Sequence, residues 1–284
     1  MTDKPYMRVE DCSEEDLYWF SGLRDTLLAH AKGYEHGLFL GESPKVIERA
    51  LNKGCRPVDM LIEEHWLEQS EGLVGRLCAA NPDFNVYVAT LTQYQRITGF
   101  KTARGALTLF ERPAPAALED VLKDAKRVVV LEDITNYTNI GSIFRSCAAL
   151  GVDAVLISPS CHDPLYRRAA RVSMGTVFQV PWAYIGSDQN WAKEGARVLH
   201  KHGFELAALA LRDDALLLGD KALSSADKLA LVMGTEGEGL SEDTLQACDY
   251  VVTIPMQNGV DSLNVSAATS IVIWELVMRP NIVE

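Results

Sequence analysis

The sequence predicts an α/β protein in two parts, the second a layered domain around a parallel sheet. Three observations predict it. Beyond residue 126, short apolar runs alternate with amphipathic stretches of helical spacing. Several of those runs are apolar at consecutive positions, as strands covered on both faces require. Ahead of them, Glu111 to Arg127 reads ERPAPAALEDVLKDAKR, where two prolines two residues apart interrupt any regular element. Residues 1–112 are therefore expected as a smaller α/β domain, 113–125 as a linker, and 126–284 as the second domain.

In chain order, YEHGLFLGES and PVDMLIEEHW read as strands, and SPKVIERALNKG between them reads as a helix. Ser43 stands at its N-cap, Pro44 at the first helical position and Gly54 past its end. Its apolar stripe of Val46, Ile47, Ala50 and Leu51 is expected in the core. ARGALTLFERP closes the part as a strand. In the second part RVVVLE, DAVLIS, FQVPWAYI, ELAALAL, KLALVMG and YVVTIP are expected as strands. Asn139 to Leu150, Asn190 to His202 and Asn264 to Met278 are expected as helices.

The chain's 284 residues are enough for two cores. With no apolar run near the roughly 18 residues a membrane helix needs, composition speaks against a membrane protein. The acidic opening, MTDKPYMRVEDCSEEDLYWF, lacks the layout of a secretory signal, so a cytoplasmic location is expected. Six scattered cysteines show neither zinc nor dithiol spacing and read as free packing thiols. A formal net charge of −12 argues against non-specific nucleic-acid binding. Two local exceptions are candidate phosphate-facing patches: Arg96, Lys101, Arg104 and Arg112 against Glu111 alone, and Arg167, Arg168 and Arg171 with no nearby acid in sequence. Each could equally be a solvated face with counter-charges from elsewhere in the fold.

Three polar loops follow strands of the second part. In NYTNIGSIFRSCAALGVDAVLIS, Ile140, Ile143, Phe144 and Cys147 make the buried stripe of a helix, leaving Asn139, Ser142, Arg145 and Ser146 on the other side. The plain reading of Arg145 is a solvated side chain. LVMGTEGEGLS runs from a buried strand into Gly234, Gly237 and Gly239, which let a ligand approach the backbone closely. It matches neither a dinucleotide fingerprint nor a P-loop. IPMQNGVDSLNVSAATSIVIWEL ends a strand at Pro255 and starts a helix capped by Asn264. That asparagine alone would be only a cap, but all three loops leave one edge of a parallel sheet, where open α/β folds place ligands.

NIGSIFR, LVMGTEGEGLS and IPMQNGVDSLNVSAA, in this order, resemble the three motifs of the SpoU-type, or TrmH-like, RNA ribose 2′-O-methyltransferases of the SPOUT superfamily. The resemblance covers roughly Lys126 to Glu284. It implies a C-terminal trefoil knot, an S-adenosylmethionine pocket formed there, a homodimer and an RNA substrate, ribosomal or transfer. ITGFKTARGALTLFERP is similar to part of the substrate-binding domain that precedes the motifs in many relatives. One departure stands out: where many members have Asp-Pro before the motif asparagine, this chain has Asn136 and Tyr137.

By that resemblance the cofactor meets backbone at Gly234, Ile254 and Leu263. Asn139 orients Arg145 or the ribose, Glu236 holds the glycine loop, and Ser262 and Asn264 line the pocket. Arg171, in RVSMG, is implied to contact RNA, and no metal is implied. Arg145 is the residue usually assigned to proton removal. A guanidinium is a poor base, so fixing a phosphate and stabilising the developing alkoxide is favoured for it. A non-catalytic RNA-binding or ribosome-assembly factor of the same fold remains the alternative. A Rossmann-type nucleotide enzyme would need a phosphate-binding loop that EDITNYTNIG does not supply.

Overall fold

Strand direction decides where the loops of this chain can meet, and the two halves of the chain differ in it. The computed structural model describes residues 6–21, 25–99, 105–187, 190–235, 237, 239–279 and 282. Contacts divide the chain into two units, Met1–Ala114 with Leu165–Phe178, and Pro115–Pro164 with Gln179–Glu284. The chain thus passes between units three times rather than once.

The first unit holds a mixed sheet in the order β1-β4-β3-β5-β2. Its strands are β1 (Met7–Arg8), β2 (Leu38–Glu42), β3 (Pro57–Glu63), β4 (Asn85–Ala89) and β5 (Ala106–Glu111). β5 lies antiparallel between β2 and β3, while β4 runs parallel to β3 and β1. Helix Pro44–Asn52 forms as expected, burying Val46, Ile47 and Ala50, whereas Leu51 stays partly exposed. Ser43 occupies the N-cap at φ 88° without a side-chain capping bond. Helices Leu67–Ala80 and Leu91–Thr98, with β1 and β4, complete the unit. The first carries two glycines, which dilute its helical pattern, and the second opens on a capping box of Thr90 and Gln93.

Leu165–Phe178 belongs to this unit although it lies between two strands of the other. Helix Arg167–Val172 sits against β2, and both Arg167 and Arg171 bond the carboxylate of buried Glu42, the latter at 3.0 Å. Phe178 packs on Phe39 with ring centroids 5.3 Å apart, and Arg49 donates to the Met174 carbonyl at 2.8 Å. The expected strand FQVPWAYI therefore divides into a 3-10 turn at Thr176–Phe178 and a short strand at Trp182–Tyr184. Of the two basic patches, Arg167 and Arg171 have found their counter-charge in Glu42, and Arg168 is exposed. Lys101 and Arg104 of the other lie outside the described residues.

The second unit is built on seven strands in the order β10-β12-β9-β11-β6-β7-β8, every neighbouring pair parallel. They are β6 (Arg127–Leu131), β7 (Ala154–Ile157), β8 (Trp182–Tyr184), β9 (Glu205–Leu209), β10 (Leu216–Leu217), β11 (Leu229–Met233) and β12 (Tyr250–Thr253). β7 and β11 are buried at every residue, which accounts for their unbroken apolar runs. The stretch expected as a linker carries helix Leu118–Leu122, whose Leu122 is fully buried beside Val128, Leu156 and Phe204. From β6 the chain moves outward through β7 to β8. It then crosses to β9, and β11 later enters between β9 and β6. The loops after β6, β11 and β12 therefore share one edge.

Glu42 offers a test of what fastens Leu165–Phe178. Replacing it with alanine leaves two guanidiniums without their carboxylate and should cost about 3 kcal/mol, measured by urea unfolding. Arg168→Ala, which removes an exposed side chain, should stay within about 0.5 kcal/mol.

Candidate active site

Helix Tyr137–Leu150 begins two residues earlier than the apolar spacing indicates. Asn136 is its cap, the side-chain oxygen accepting from the backbone N–H of Thr138 at 2.8 Å and of Asn139 at 3.4 Å. The expectation that Asn139 lies on an exposed polar face is corrected: it is buried. Helix Val265–Ile273 lies alongside and covers it. Its Oδ1 accepts from Asn264 Nδ2 at 3.1 Å, and Ser146 and Ser270 join hydroxyls at 2.8 Å further along the same seam. Arg145 does face outward, and it has no hydrogen bond or ion pair to any described residue.

One amide serves two purposes at Asn264. Its Oδ1 caps helix Val265–Ile273 by accepting from the Ser266 N–H at 3.0 Å and the Ser266 hydroxyl at 2.6 Å. Its Nδ2 makes the bond to Asn139. The α-helix gives way to a π turn over Trp274–Met278, and Val265, Val272 and Leu276 are buried as expected, with Ala268 partly so.

β11 ends at Met233, and at Gly234 a Cβ would lie 2.5 Å from the Gly239 carbonyl group, so only glycine fits. Thr235 and Gly239 pair across the loop, folding it back on itself, with Gly239 at φ 73°. Glu236, expected to hold this loop, lies outside the described residues. Another carboxylate is seen holding the loop's far end. Glu132, buried just after β6, accepts from the Ser241 N–H at 2.8 Å and from the Thr244 hydroxyl at 2.5 Å. Sequence reasoning took it for the last residue of RVVVLE. The available signal was an acid placed between an apolar strand and a polar loop.

A cavity of about 570 Å³ opens between the segments that follow β9, β11 and β12. Gly234, Ile254, Ser262 and Leu263 all line it, with Met233 and Val252 among the apolar wall. Asn139 and Asn264 stand behind it, bonded to each other. Arg171 is elsewhere, on Glu42 in the first unit. Beside the start of the first motif helix, Tyr137 stacks on His162 with ring centroids 4.3 Å apart and planes 23° from parallel. Burial pushes the His162 pKa below its ordinary value, favouring the neutral ring. Burial likewise raises the thiols of Cys147 and Cys161, consistent with packing rather than reactive roles. Among the described residues no group of three His, Cys, Asp or Glu could hold a metal, and no helix is long and apolar enough to cross a membrane.

Such a pocket, at the carboxyl edge of a parallel sheet, combines the main chain of a glycine loop with apolar Leu209, Met233 and Val252 and with charged Arg212, Glu242 and Asp261, and has room for a partly apolar, partly polar body such as a nucleoside. Arg145 is exposed on helix Tyr137–Leu150, which packs along helix Val265–Ile273. Fold and site together define an α/β protein with a nucleoside-sized cavity at the carboxyl edge of a parallel sheet. The chain belongs to the SpoU rRNA Methylase family, whose model matches residues 126–274. It is 40% identical over 239 residues to an uncharacterized tRNA/rRNA methyltransferase of Mycobacterium tuberculosis (strain ATCC 25618 / H37Rv), covering 84% of this chain and 80% of that one. It is 35% identical over 169 residues to the 23S rRNA (guanosine-2′-O-)-methyltransferase RlmB of Yersinia pestis, covering 60% and 65%. In fold it is similar to the AdoMet-bound rRNA methyltransferase of Sinorhizobium meliloti, with a TM-score of 0.78, 20% identity and coverage of 96% and 97%. The SpoU methyltransferase AviRb of Streptomyces viridochromogenes, solved with AdoMet, gives a TM-score of 0.74 at 22% identity, covering 95% of this chain and 98% of that one.

The Glu132 anchor can be tested without any substrate. Glu132→Ala strands one buried hydroxyl and one backbone N–H and should cost about 2–4 kcal/mol. Glu132→Gln should cost clearly less, because its amide can still accept from Ser241 and donate to Thr244. Urea unfolding of both variants checks the order.

Proposed function

We propose that this protein transfers the methyl group of S-adenosylmethionine to a ribose 2′-hydroxyl of ribosomal or transfer RNA. The observation that carries the reading is one cavity lined by Gly234 of the second motif loop and by Ile254, Ser262 and Leu263 of the third, with the helix of the first motif tied to the residue after Leu263 by the Asn139–Asn264 bond. These residues fit the cofactor: the cavity has room for a nucleoside, its glycine loop exposes main-chain groups, and its wall is largely apolar. When bound, the cofactor supplies an electrophilic methyl on a sulfonium. The chain's own task is to bring one ribose oxygen into line and manage its charge.

Arg145 performs the second part. Its guanidinium has no hydrogen bond or ion pair to any described residue, so it is available to grip the substrate phosphate and stabilise the alkoxide as the proton leaves. Asn139, fixed by Asn264, sets the helix that carries it. Ser262 and Asn264 shape the wall on the substrate side, and Glu236 holds the glycine loop. The first unit selects the RNA, and Arg171, half-exposed beside Glu42, is assigned a place in that contact. The return of the chain from β8 across the sheet, with β11 entering between β9 and β6, supports a trefoil knot. Exposed Ile271 and Trp274 on the C-terminal helix support a homodimer. An RNA substrate of this kind supports a cytoplasmic location.

Transfer of label from S-[methyl-³H]adenosylmethionine into deproteinised total RNA tests the reaction. Label should appear in alkali-resistant dinucleotides, since a 2′-O-methyl blocks cleavage; label confined to bases, or none, overturns it. The second outcome would favour a non-catalytic RNA-binding factor.

Arg145→Ala tests the role of the guanidinium. No buried contact is lost, so stability should change by about 0.5 kcal/mol or less, and S-adenosylhomocysteine should bind as before. Single-turnover methylation should fall by roughly 100-fold to 10,000-fold. Arg145→Lys should recover only part of it, because an ammonium lacks the planar fork.

A further inference from the structure

The cavity carries opposite charges that a nucleoside alone does not need. Arg212 and Glu242 both line it, and Arg212 Nη1 lies 3.4 Å from Glu242 Oε1. Asp261 is a third charged lining residue.

The backbone under the pair is held on both sides. Just after β9 the Ala210 N–H donates to the Val252 carbonyl at 3.0 Å, and the Ala215 N–H donates to the Arg212 carbonyl at 3.2 Å, so Arg212 opens a closed turn. Glu242 follows Ser241, whose N–H is bonded to buried Glu132.

The side chains themselves are loosely paired. A charge-assisted N–H···O contact closes to about 2.7–2.9 Å when it is well formed. Arg212 stays 3.4 Å from Glu242 and 3.5 Å from Asp214, and the side chains of all three are exposed to solvent. Ion pairs of this kind add little to stability. A guanidinium offers five donors in a fork that matches a carboxylate, and these long contacts leave most of that capacity to water.

A ligand with an apolar body and a zwitterionic end would use both the wall and the pair. S-adenosylmethionine has that form, with an α-carboxylate and an α-ammonium on one carbon. The glycine loop and the apolar wall suit its nucleoside, but they offer nothing to the amino-acid end. Charge agrees as well: among the described lining residues one base stands against two acids, and the cofactor carries a net positive charge.

We propose, resting on the reading that this cavity binds S-adenosylmethionine, that Arg212 and Glu242 form the seat of its amino-acid end. Arg212 takes the α-carboxylate through its fork, and Glu242, released from Arg212, takes the α-ammonium.

Calorimetry with two probes tests it. S-adenosylhomocysteine keeps the amino-acid end, whereas 5′-methylthioadenosine keeps the nucleoside and thioether and lacks that end. Arg212→Ala should weaken binding of S-adenosylhomocysteine by about 10-fold to 100-fold, the range for losing hydrogen bonds to a charged group, and leave binding of 5′-methylthioadenosine unchanged. The second probe thus also reports that the variant is folded. Arg212→Lys should recover part of the loss, because an ammonium keeps the charge without the fork. Glu242→Gln should weaken S-adenosylhomocysteine alone, and by less. Unchanged binding of S-adenosylhomocysteine to Arg212→Ala overturns the seat, and so does an equal loss of both probes, which would make Arg212 part of the cavity's shape. If the wild-type protein binds neither probe, the cofactor reading fails and the seat with it.

Discussion

Every strand of the larger sheet runs in one direction, and the placement of the site follows from that constraint. Parallel strands need a crossover between each pair, so every strand ends at the same edge and hands its loop to the same side. The loops after β6, β11 and β12 have no choice but to gather there, although they are separated by about a hundred residues of chain. Gathering is not enough for a site, because three loops of backbone carry many N–H and C=O groups that have to be satisfied. Asn264 deals with the start of one helix and the side of another through a single amide, fixing the Asn139 helix and the Ser262–Leu263 loop relative to each other.

Two buried carboxylates repeat this logic in the two units. Glu132 follows β6 and receives the start of helix Glu242–Ala247, so the glycine loop between β11 and that helix is pinned at its far end. Glu42 ends β2 and receives two arginines from Leu165–Phe178. A buried carboxylate is costly by itself and is tolerated only with good donors around it. In both cases the donors come from a segment about a hundred residues or more away in sequence. What each acid contributes is therefore less net stability than position: it decides which distant segment sits beside its strand.

The larger sheet was legible because its strands are apolar at consecutive positions, a pattern few other elements share, and the three loops stood out by glycine and asparagine content. Helices Leu67–Ala80 and Leu91–Thr98 of the first unit were not. LEQSEGLVGRLCAA places glycines inside the helix, and LTQYQRIT is short and polar. The start of the first motif helix was missed because apolar spacing marks the buried stripe, whereas Asn136 acts through its side-chain oxygen one turn earlier. Asn139 was read as exposed for a related reason: periodicity within one helix reveals the face it turns to its own sheet, not a second face covered by a helix 125 residues later. Glu132 and Glu42 each looked like the polar end of a strand. FQVPWAYI read as one strand because nothing local reveals that Phe178 packs on Phe39. These misses share a cause: they depend on partners far away in sequence.

That distinction also resolves the puzzle of an acidic chain that handles RNA. Net charge sets the long-range field, but affinity for phosphate depends on cations that are not already neutralised. Counting basic residues along the sequence made Arg167, Arg168 and Arg171 the richest short patch, yet two of them share Glu42. Arg145, alone on its helix and unremarkable in any count, has a guanidinium with no hydrogen bond or ion pair to any described residue. Its neighbours on the buried stripe, Ile143, Phe144 and Cys147, anchor the helix without touching its charge. The acidity of the whole chain therefore says little about local contact with phosphate, which depends on exposed guanidiniums such as Arg145 that no acid among the described residues neutralises.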